Sequence, residues 1–433
     1  MSERGNWLDS NSKQQTKKVF TVLAIDGGGV RGIIPARILH EIEKRTGRPI
    51  ADLFDMVGGS STGAIIGGCL VAPDPKNPAK PRFSAKDIYG FYHKLAGQIF
   101  PSRNLKMFRK FVPGALYSAK PLEEKLLECF GDFRMKDALT SFLIPATDIK
   151  NFRPVWITHL KGQVDRSKEG WGSMLIRDAV RATTSAPTYF PAKYYYTTPN
   201  PTMPDVKARH ALIDGSFFGG NAPQRLYNEA KKLAPPDAEI IVVHLGTGNT
   251  NNKMSPEEFN DLSVLGLLNK SNGSVLLSLV AKMSVLDTAE DMREEIGDRF
   301  YTFDGILQLD GEDRAPASAM AIDDARPENL QRLEKMAGQI IRDNDAEINR
   351  LCDILRDHSC HPLALVQAPL QPSKPAHKSI LDSIKETSRD MADQAKSALR
   401  KAFGKDRKPP PGGNDGTPDS GSVKNDPKNP PKL

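Results

Sequence analysis

Gly59-Ser60-Ser61-Thr62-Gly63 stands between an apolar run, Leu53-Phe54-Asp55-Met56-Val57, and a helix-compatible run, Ala64-Ile65-Ile66-Gly67-Gly68-Cys69-Leu70. A strand that passes at once into a helix around a glycine-flanked serine is a narrow specification. Such a turn leaves no space for side chains beside the serine and projects its hydroxyl beyond the sheet edge. Gly59 and Gly63 supply that space, and Ser61 becomes the candidate nucleophile. Taken alone, the pentapeptide also fits an ordinary turn serine, because a chain with 34 glycines produces such patterns by chance.

A second glycine cluster narrows the choice. Asp26-Gly27-Gly28-Gly29-Val30-Arg31-Gly32 lies between the β-rich run Val19-Phe20-Thr21-Val22-Leu23-Ala24-Ile25 and a helix expected to start near Pro35. Acyl transfer places negative charge on a carbonyl oxygen, and consecutive glycines at a helix N-terminus offer it backbone N–H groups. Gly27, Gly28 and Gly29 are therefore candidate oxyanion-hole donors. Arg31 either adds a charge near that site or anchors the loop. Gly27, Gly29 and Gly32 also spell G-x-G-x-x-G, which suggests a dinucleotide fold with Asp52 or Asp55 on a ribose. That alternative explains one glycine cluster, whereas acyl transfer explains both.

A serine nucleophile needs a base, and the eight histidines give no convincing one. His40 and His93 read as helix-surface positions, His159 ends the strand-like run Pro154–Thr158, and His244 reads as a buried strand residue after Ile240-Ile241-Val242-Val243. Asp214 follows Ala211-Leu212-Ile213 and precedes Gly215, so it sits where a strand ends and the chain turns. Active sites of α/β folds collect at that edge, although aspartate is also a common turn residue.

On these residues the chain resembles the patatin-like phospholipases. It matches the family's oxyanion segment at Asp26–Gly32, its nucleophile segment at Gly59–Gly63 and its Asp-Gly segment at Asp214-Gly215. Further similarity runs through Ala182-Thr183-Thr184-Ser185-Ala186-Pro187-Thr188-Tyr189-Phe190-Pro191 and Leu245-Gly246-Thr247-Gly248, all in the family's order over roughly residues 19–310. The resemblance implies a lipid acyl hydrolase of the phospholipase A type, acting on phospholipid or another acyl lipid through a Ser61–Asp214 dyad. Histidine, metal and cofactor take no part in it. The family's usual glycine or alanine after Asp-Gly is Ser216 here, a hydroxyl able to hydrogen-bond Asp214 and alter its basicity. An aspartate near its ordinary pKa of ~3.9 is a weak base at neutral pH, so partial burial and a direct bond to Ser61 are expected. An esterase or thioesterase on smaller acyl groups, or a non-catalytic module using the fold to bind a partner, are the alternatives. Such a module has no need of the serine, the aspartate and the glycine loop together.

Strands expected near Leu53–Val57, Phe142–Ala146, Pro154–Thr158, Ala211–Ile213 and Glu239–Leu245 alternate with helices. This predicts an α/β fold, a three-layer α/β/α sandwich with a mostly parallel central sheet. Pro35 is placed at the first position of a helix that Gly47 ends, and the Pro73–Pro81 segment reads as a surface loop. The chain divides into an N-terminal segment (1–18), a catalytic domain (19–325), a helical extension (326–368), a Pro-rich linker (369–378), an amphipathic helix (379–403) and a basic tail (404–433). From Lys374 to Leu433 there are 13 Lys or Arg and 8 Asp or Glu, so this stretch supplies 13 − 8 = +5 of the net +7. That balance suggests peripheral contact with anionic headgroups, set against a solvated tail whose helix docks on the domain. A nucleic acid partner is not expected, because acidic residues interleave and no stacking aromatics accompany the lysines.

The apolar tract Leu262–Leu286 is too interrupted to span a bilayer, and its second half reads as a core helix or one bordering an acyl-chain channel. Met1–Trp7 has no apolar core of a secretory signal, which places the protein in the cytoplasm or at a membrane periphery, with leaderless secretion open. Cys69, Cys129, Cys352 and Cys360 include no C-x-x-C and read as free thiols. The group Cys352, His358, Cys360 and His361 matches no familiar zinc spacing, so no metal is assigned.

Overall fold

The structure, a computed structural model, describes residues 18–101, 114–160, 171–197, 208–217, 222–249, 256–260, 275–309, 312 and 321–358. Its organising strand is β1 (Val19–Ile25), which is apolar at nearly every position because both of its faces are covered. Phe20, Val22 and Ala24 point to one face, where they meet α6 (Ala222–Leu233) and α7 (Val275–Ile296). Leu23 and Ile25 point to the other, larger core. That core is built with α1 (Ile33–Thr46), α2 (Thr62–Val71), α3 (Ala85–Ile99), α4 (Lys120–Phe130) and α5 (Ile176–Thr183). The result is the three-layer sandwich that the alternation of strands and helices predicts.

The central strands are β2 (Met56–Gly59), β3 (Ser141–Asp148), β7 (Glu239–Leu245) and β8 (Phe300–Phe303), joined to β1 in the parallel order β3-β2-β1-β7-β8. Three antiparallel strands complete the β3 side: β4 (Arg153–His159), β5 (Lys193–Thr197) and β6 (Ala208–Asp214). β4 pairs with β3 continuously from Phe142 to Asp148 and so fills one edge. β2 pairs at Met56–Gly58 with Ser141–Leu143, and β6 at Leu212–Asp214 with Asp148–Ala146. A strand has only two edges, so β2 and β6 must share the remaining one. They run toward each other along it, and the residues after Gly59 meet Asp214.

The strand expected at Leu53–Val57 begins three residues later. Ile50–Asp52 forms a turn of 3-10 helix, and the Thr21 hydroxyl donates to Leu53 O (2.8 Å) while Asp55 Oδ2 accepts from Thr21 N (2.8 Å), pinning this stretch as a lead-in. Pro35 is the third residue of α1, not the first; Gly47 ends that helix at φ 69° with its N–H on Glu43 O. The sequence reading missed β5 and β8, because Tyr194-Tyr195-Tyr196 hides its alternation and β8 has only four residues.

The helical extension is described as far as His358. Its helices α8 (Pro327–Asp343) and α9 (Asp345–Asp357) pack on α1, burying Leu330, Leu333, Met336, Leu351, Cys352 and Leu355 in the larger core. Arg48 fastens the end of α9 by donating to Leu355 O (3.0 Å) and His358 O (2.6 Å). His358 Nε2 stands 3.0 Å from Asp55 Oδ2, while Cys360 and His361 lie outside the described residues. So do the N-terminal residues 1–17, the Pro-rich linker, the helix of 379–403 and the basic tail. The tract read from Leu262 enters α7, whose Ala289, Met292 and Ile296 are buried. Among the described residues, no helix is long and apolar enough to cross a membrane.

Because Leu333 is fully buried between α8 and α1, Leu333→Ala should destabilise the protein by about 2–5 kcal/mol. Urea unfolding of the wild type and the variant measures this, and a change below about 0.5 kcal/mol would show that α8 is not part of the cooperative core.

Candidate active site

The parallel strands end on one edge of the sheet, and three of their loops meet there. After β1 comes Asp26–Gly32, after β2 comes the Ser61 turn, and after β7 comes Gly246-Thr247-Gly248. Ser61 has φ 51° and ψ −121° and caps α2. Positive φ is costly for a residue with a Cβ and marks a strained strand-to-helix turn. The strain is maintained by packing: a methyl group on Gly63 would collide with Ile25 O, so the start of α2 lies directly against the end of β1. Ser61 N donates to Thr183 Oγ1 (3.1 Å).

Asp214 ends β6 with its side chain buried, 4% exposed. Burial pushes its carboxyl up to about 6, against hydrogen bonds from the Ser216 hydroxyl, the Ser216 N–H and the Ser61 side chain that stabilise the ionised form. Ser216 Oγ and N donate to Asp214 Oδ1 at 2.7 and 2.8 Å. The hydroxyl found where the family usually has glycine or alanine is thus a direct partner of the carboxylate. Ser216 Oγ also reaches Ser60 Oγ at 3.3 Å, linking the two strand ends.

Gly27, Gly28 and Gly29 lead into a turn of 3-10 helix, and among the described residues their N–H groups meet no acceptor. Gly29 has φ 58°, and a Cβ there would strike Ile322 O, the acceptor of Val30 N (2.8 Å). Thr247 Oγ1 donates to Gly27 O (2.6 Å), tying the glycine loop to the β7 loop. Arg31 Nη1 reaches Gly248 O at 3.4 Å, so its visible contact joins the same two loops. Gly32, Gly59 and Gly215 are crowded as well, and a Cβ on Gly215 would meet Pro145 O.

Sequence reasoning treated His244 as an ordinary buried strand residue, and it is buried in β7. Its neighbours give it a second character. His244 Nε2 stands 3.0 Å from Asp26 Oδ1, off the line of a straight hydrogen bond, and Nδ1 faces Thr302 Oγ1 at 3.2 Å. Burial works against the imidazolium, but Asp26 and Asp304 outweigh it and hold the pKa above the ordinary histidine value. Asp304, itself raised by burial, accepts from Gly248 N (2.8 Å) and Gly305 N (2.9 Å). Asp26, Asp304, Arg31 and His244 thus bring two acidic and two basic side chains together at the ends of β1, β7 and β8.

Thr183 and Ser185 also went unassigned. Thr183 holds the Ser61 N–H and Ser185 O accepts from Asp214 N (3.1 Å), so the last residue of α5 and the turn that follows it fix both residues. The only signal for them was membership of the segment Ala182–Pro191 in the family resemblance. A groove of about 720 Å³ between α1, α3 and α8 is lined by Arg37, Tyr89 and Glu334 and includes none of the site residues.

The fold and the clustered strand-end loops define an α/β protein with a serine–aspartate site at the edge of a mostly parallel sheet. Residues 23–226 match the family model described as Patatin-like phospholipase. The chain is 28% identical over 370 residues to Patatin-like protein 2 of Oryza sativa subsp. indica, covering 78% of this chain and 88% of that protein. Patatin-like protein 1 of Arabidopsis thaliana is 28% identical over 364 residues (78% and 85%), and Patatin-T5 of Solanum tuberosum 34% identical over 253 residues (54% and 62%). The chain thus carries a domain of the patatin-like phospholipase family, which implies lipid acyl hydrolase activity. The solved structure of VipD from Legionella pneumophila aligns at 12% identity and a TM-score of 0.29, over 73% of this chain and 67% of that one, too loosely to bear on function.

Asp214 yields a stability test. Its raised pKa means that between an ordinary aspartate's 3.8 and about 6 the folded chain holds a proton the unfolded chain has released, so its contribution to stability falls as pH rises through that window. Asp214→Asn should therefore stabilise the fold by roughly 2–3 kcal/mol above pH 7, with the gain vanishing below about pH 4. Denaturant unfolding at several pH values measures it, and a pH-independent difference would place the cause elsewhere.

Proposed function

We propose that this protein cleaves fatty-acyl ester bonds of phospholipids through an acyl-enzyme on Ser61, with Asp214 as general base and Gly27, Gly28 and Gly29 as oxyanion donors. The observation that carries the reading is the Ser61 side chain hydrogen-bonded to a buried Asp214 whose pKa is raised to about 6. A carboxylate so placed is largely ionised at neutral pH and a better base than one in water.

In the first half-reaction Ser61 Oγ attacks the ester carbonyl as its proton passes to Asp214. Negative charge develops on the carbonyl oxygen, where the glycine-loop N–H groups and the start of the following helix stabilise it. The tetrahedral adduct expels the lysophospholipid alkoxide, which takes the proton from Asp214. In the second half-reaction Asp214 accepts a proton from water as that water attacks the acyl-serine, and collapse releases the fatty acid and returns the proton to Ser61. Ser216 keeps one carboxylate oxygen occupied and leaves the other for Ser61. Arg31 draws the β7 loop against the glycine loop. The basic C-terminal segment read from the sequence would add peripheral membrane contact.

Ser61→Ala should reduce hydrolysis of defined phospholipids at least about a thousandfold, read by mass spectrometry of the products, while circular dichroism stays unchanged. A fluorophosphonate should label the wild type at Ser61. Labelling of another serine would remove Ser61 from the role, and turnover of soluble short-chain esters without phospholipid hydrolysis would assign the site to smaller acyl substrates.

The pH profile offers an independent check. The base works only when ionised, so kcat/KM should fall about tenfold per pH unit below about 6 and level off above it. A profile with no acid limb between pH 5 and 7 would exclude Asp214 as the base.

A further inference from the structure

The hairpin of β3 and β4 turns through Ile149-Lys150-Asn151-Phe152. β3 is parallel to β2, so this turn projects from the sheet edge that also carries Ser61. Phe152 has φ 47° and is 95% exposed. A phenylalanine in the left-handed region with its ring in water adds backbone strain and buries nothing. The turn is nonetheless firmly built. Buried Asp148 accepts from Lys150 N (3.2 Å) and Asn151 Nδ2 (2.6 Å), and its Oδ2 is 2.9 Å from His210 Nδ1.

Phe152 has company. Ile149 N donates to Ala211 O (2.9 Å), and Tyr194 of β5 pairs with Ala211 from its other side. Opposed residues of antiparallel strands share a sheet face, so Ile149 and Tyr194 stand on one face, with Tyr196 and Arg209 the next pair along it. Ile149, Tyr194 and Tyr196 are 42%, 48% and 51% exposed, and the Arg209 guanidinium lies 4.4 Å from the Tyr194 ring centre. The stretch Ile149–Arg153 contributes two cations, Lys150 and Arg153, and no carboxylate. An apolar tip, exposed tyrosines and a cationic collar together match the boundary between headgroups and acyl chains of an anionic lipid surface.

We propose that the β3–β4 turn, with the Tyr194–Tyr196 face beside it, docks the protein on an anionic lipid surface and holds the Ser61 edge of the sheet against it. The proposal rests on the lipid-hydrolase reading and adds how substrate is met. Phe152 inserts among acyl chains, the tyrosines lie at headgroup level, and Lys150, Arg153 and Arg209 face the lipid phosphates.

The test uses the full-length chain carrying Ser61→Ala, so that binding is read without hydrolysis, and cosedimentation with phosphatidylcholine vesicles containing or lacking phosphatidylglycerol. Phe152→Gly should weaken binding to the anionic vesicles about tenfold while the melting temperature stays level or rises, because glycine accepts the positive φ. Phe152→Trp, read against the Ser61→Ala parent, should show a blue-shifted emission difference on adding anionic vesicles. In the chain with Ser61 intact, Phe152→Gly should leave turnover of a soluble short-chain ester unchanged. Equal vesicle binding by the Phe152→Gly protein would overturn the proposal and leave the turn to a protein partner. Binding lost only on deleting residues 374–433 would give the contact to the C-terminal segment, and reduced soluble-ester turnover would make Phe152 a structural residue. A wild type that hydrolyses no ester at all would sink the lipid-hydrolase reading by a separate measurement, whatever the vesicles show.

Discussion

The head-to-head approach of β2 and β6 along one edge of β3 is the constraint on which the site depends. β4 occupies the other edge of β3 from Phe142 to Asp148, so two strands of opposite direction are left to divide what remains. Their ends meet, and the serine following one touches the aspartate ending the other. The contact joins residues 61 and 214, yet it needs no flexible segment to reach across. Backbone hydrogen bonds of a buried sheet define it, and such geometry resists drift far better than a pairing between two loops.

Placing a carboxylate there has a cost. Asp214 is buried with its pKa displaced upward, so ionising it at neutral pH works against folding. Three donors, the Ser216 hydroxyl and N–H and the Ser61 side chain, offset part of that cost and fix the orientation of the carboxylate. The glycine loop is treated in the opposite way. Among the described residues the N–H groups of Gly27, Gly28 and Gly29 meet no acceptor, while two acidic and two basic side chains, Asp26, Asp304, His244 and Arg31, gather beside them. Thr247 ties Gly27 to the β7 loop and so limits the freedom of those donors. That restraint suits the oxyanion role proposed for these glycines.

The helical layer on the Leu23 and Ile25 face serves the same edge. α2 is capped by Ser61, and the end of α5 with the residues after it holds the Ser61 and Asp214 backbones. α8 and α9 cover α1, which follows directly from the glycine loop. The helices beyond the family-matched region are thus continuous with the core that positions the glycine loop.

Sequence alone determined the sandwich, the order of the motifs and the two residues that the structure brings together. These are written locally: glycines where backbone must pass close, β-branched runs where both faces are buried, and an aspartate at a strand end. β5 and β8 stayed hidden because an unbroken aromatic run and a four-residue segment carry no readable period. The role of Ser216 was legible as a departure from the family pattern, but that of His244 was not, since a buried strand histidine looks alike whether or not a carboxylate faces it. Only the tertiary structure decided that β2 and β6 share an edge, that His244 meets Asp26, that Thr183 and Ser185 hold the site, and that Phe152 stands in water. Each depends on which strands become neighbours and which side chains the packing leaves uncovered, and those are properties of the assembled sheet that no stretch of chain contains by itself.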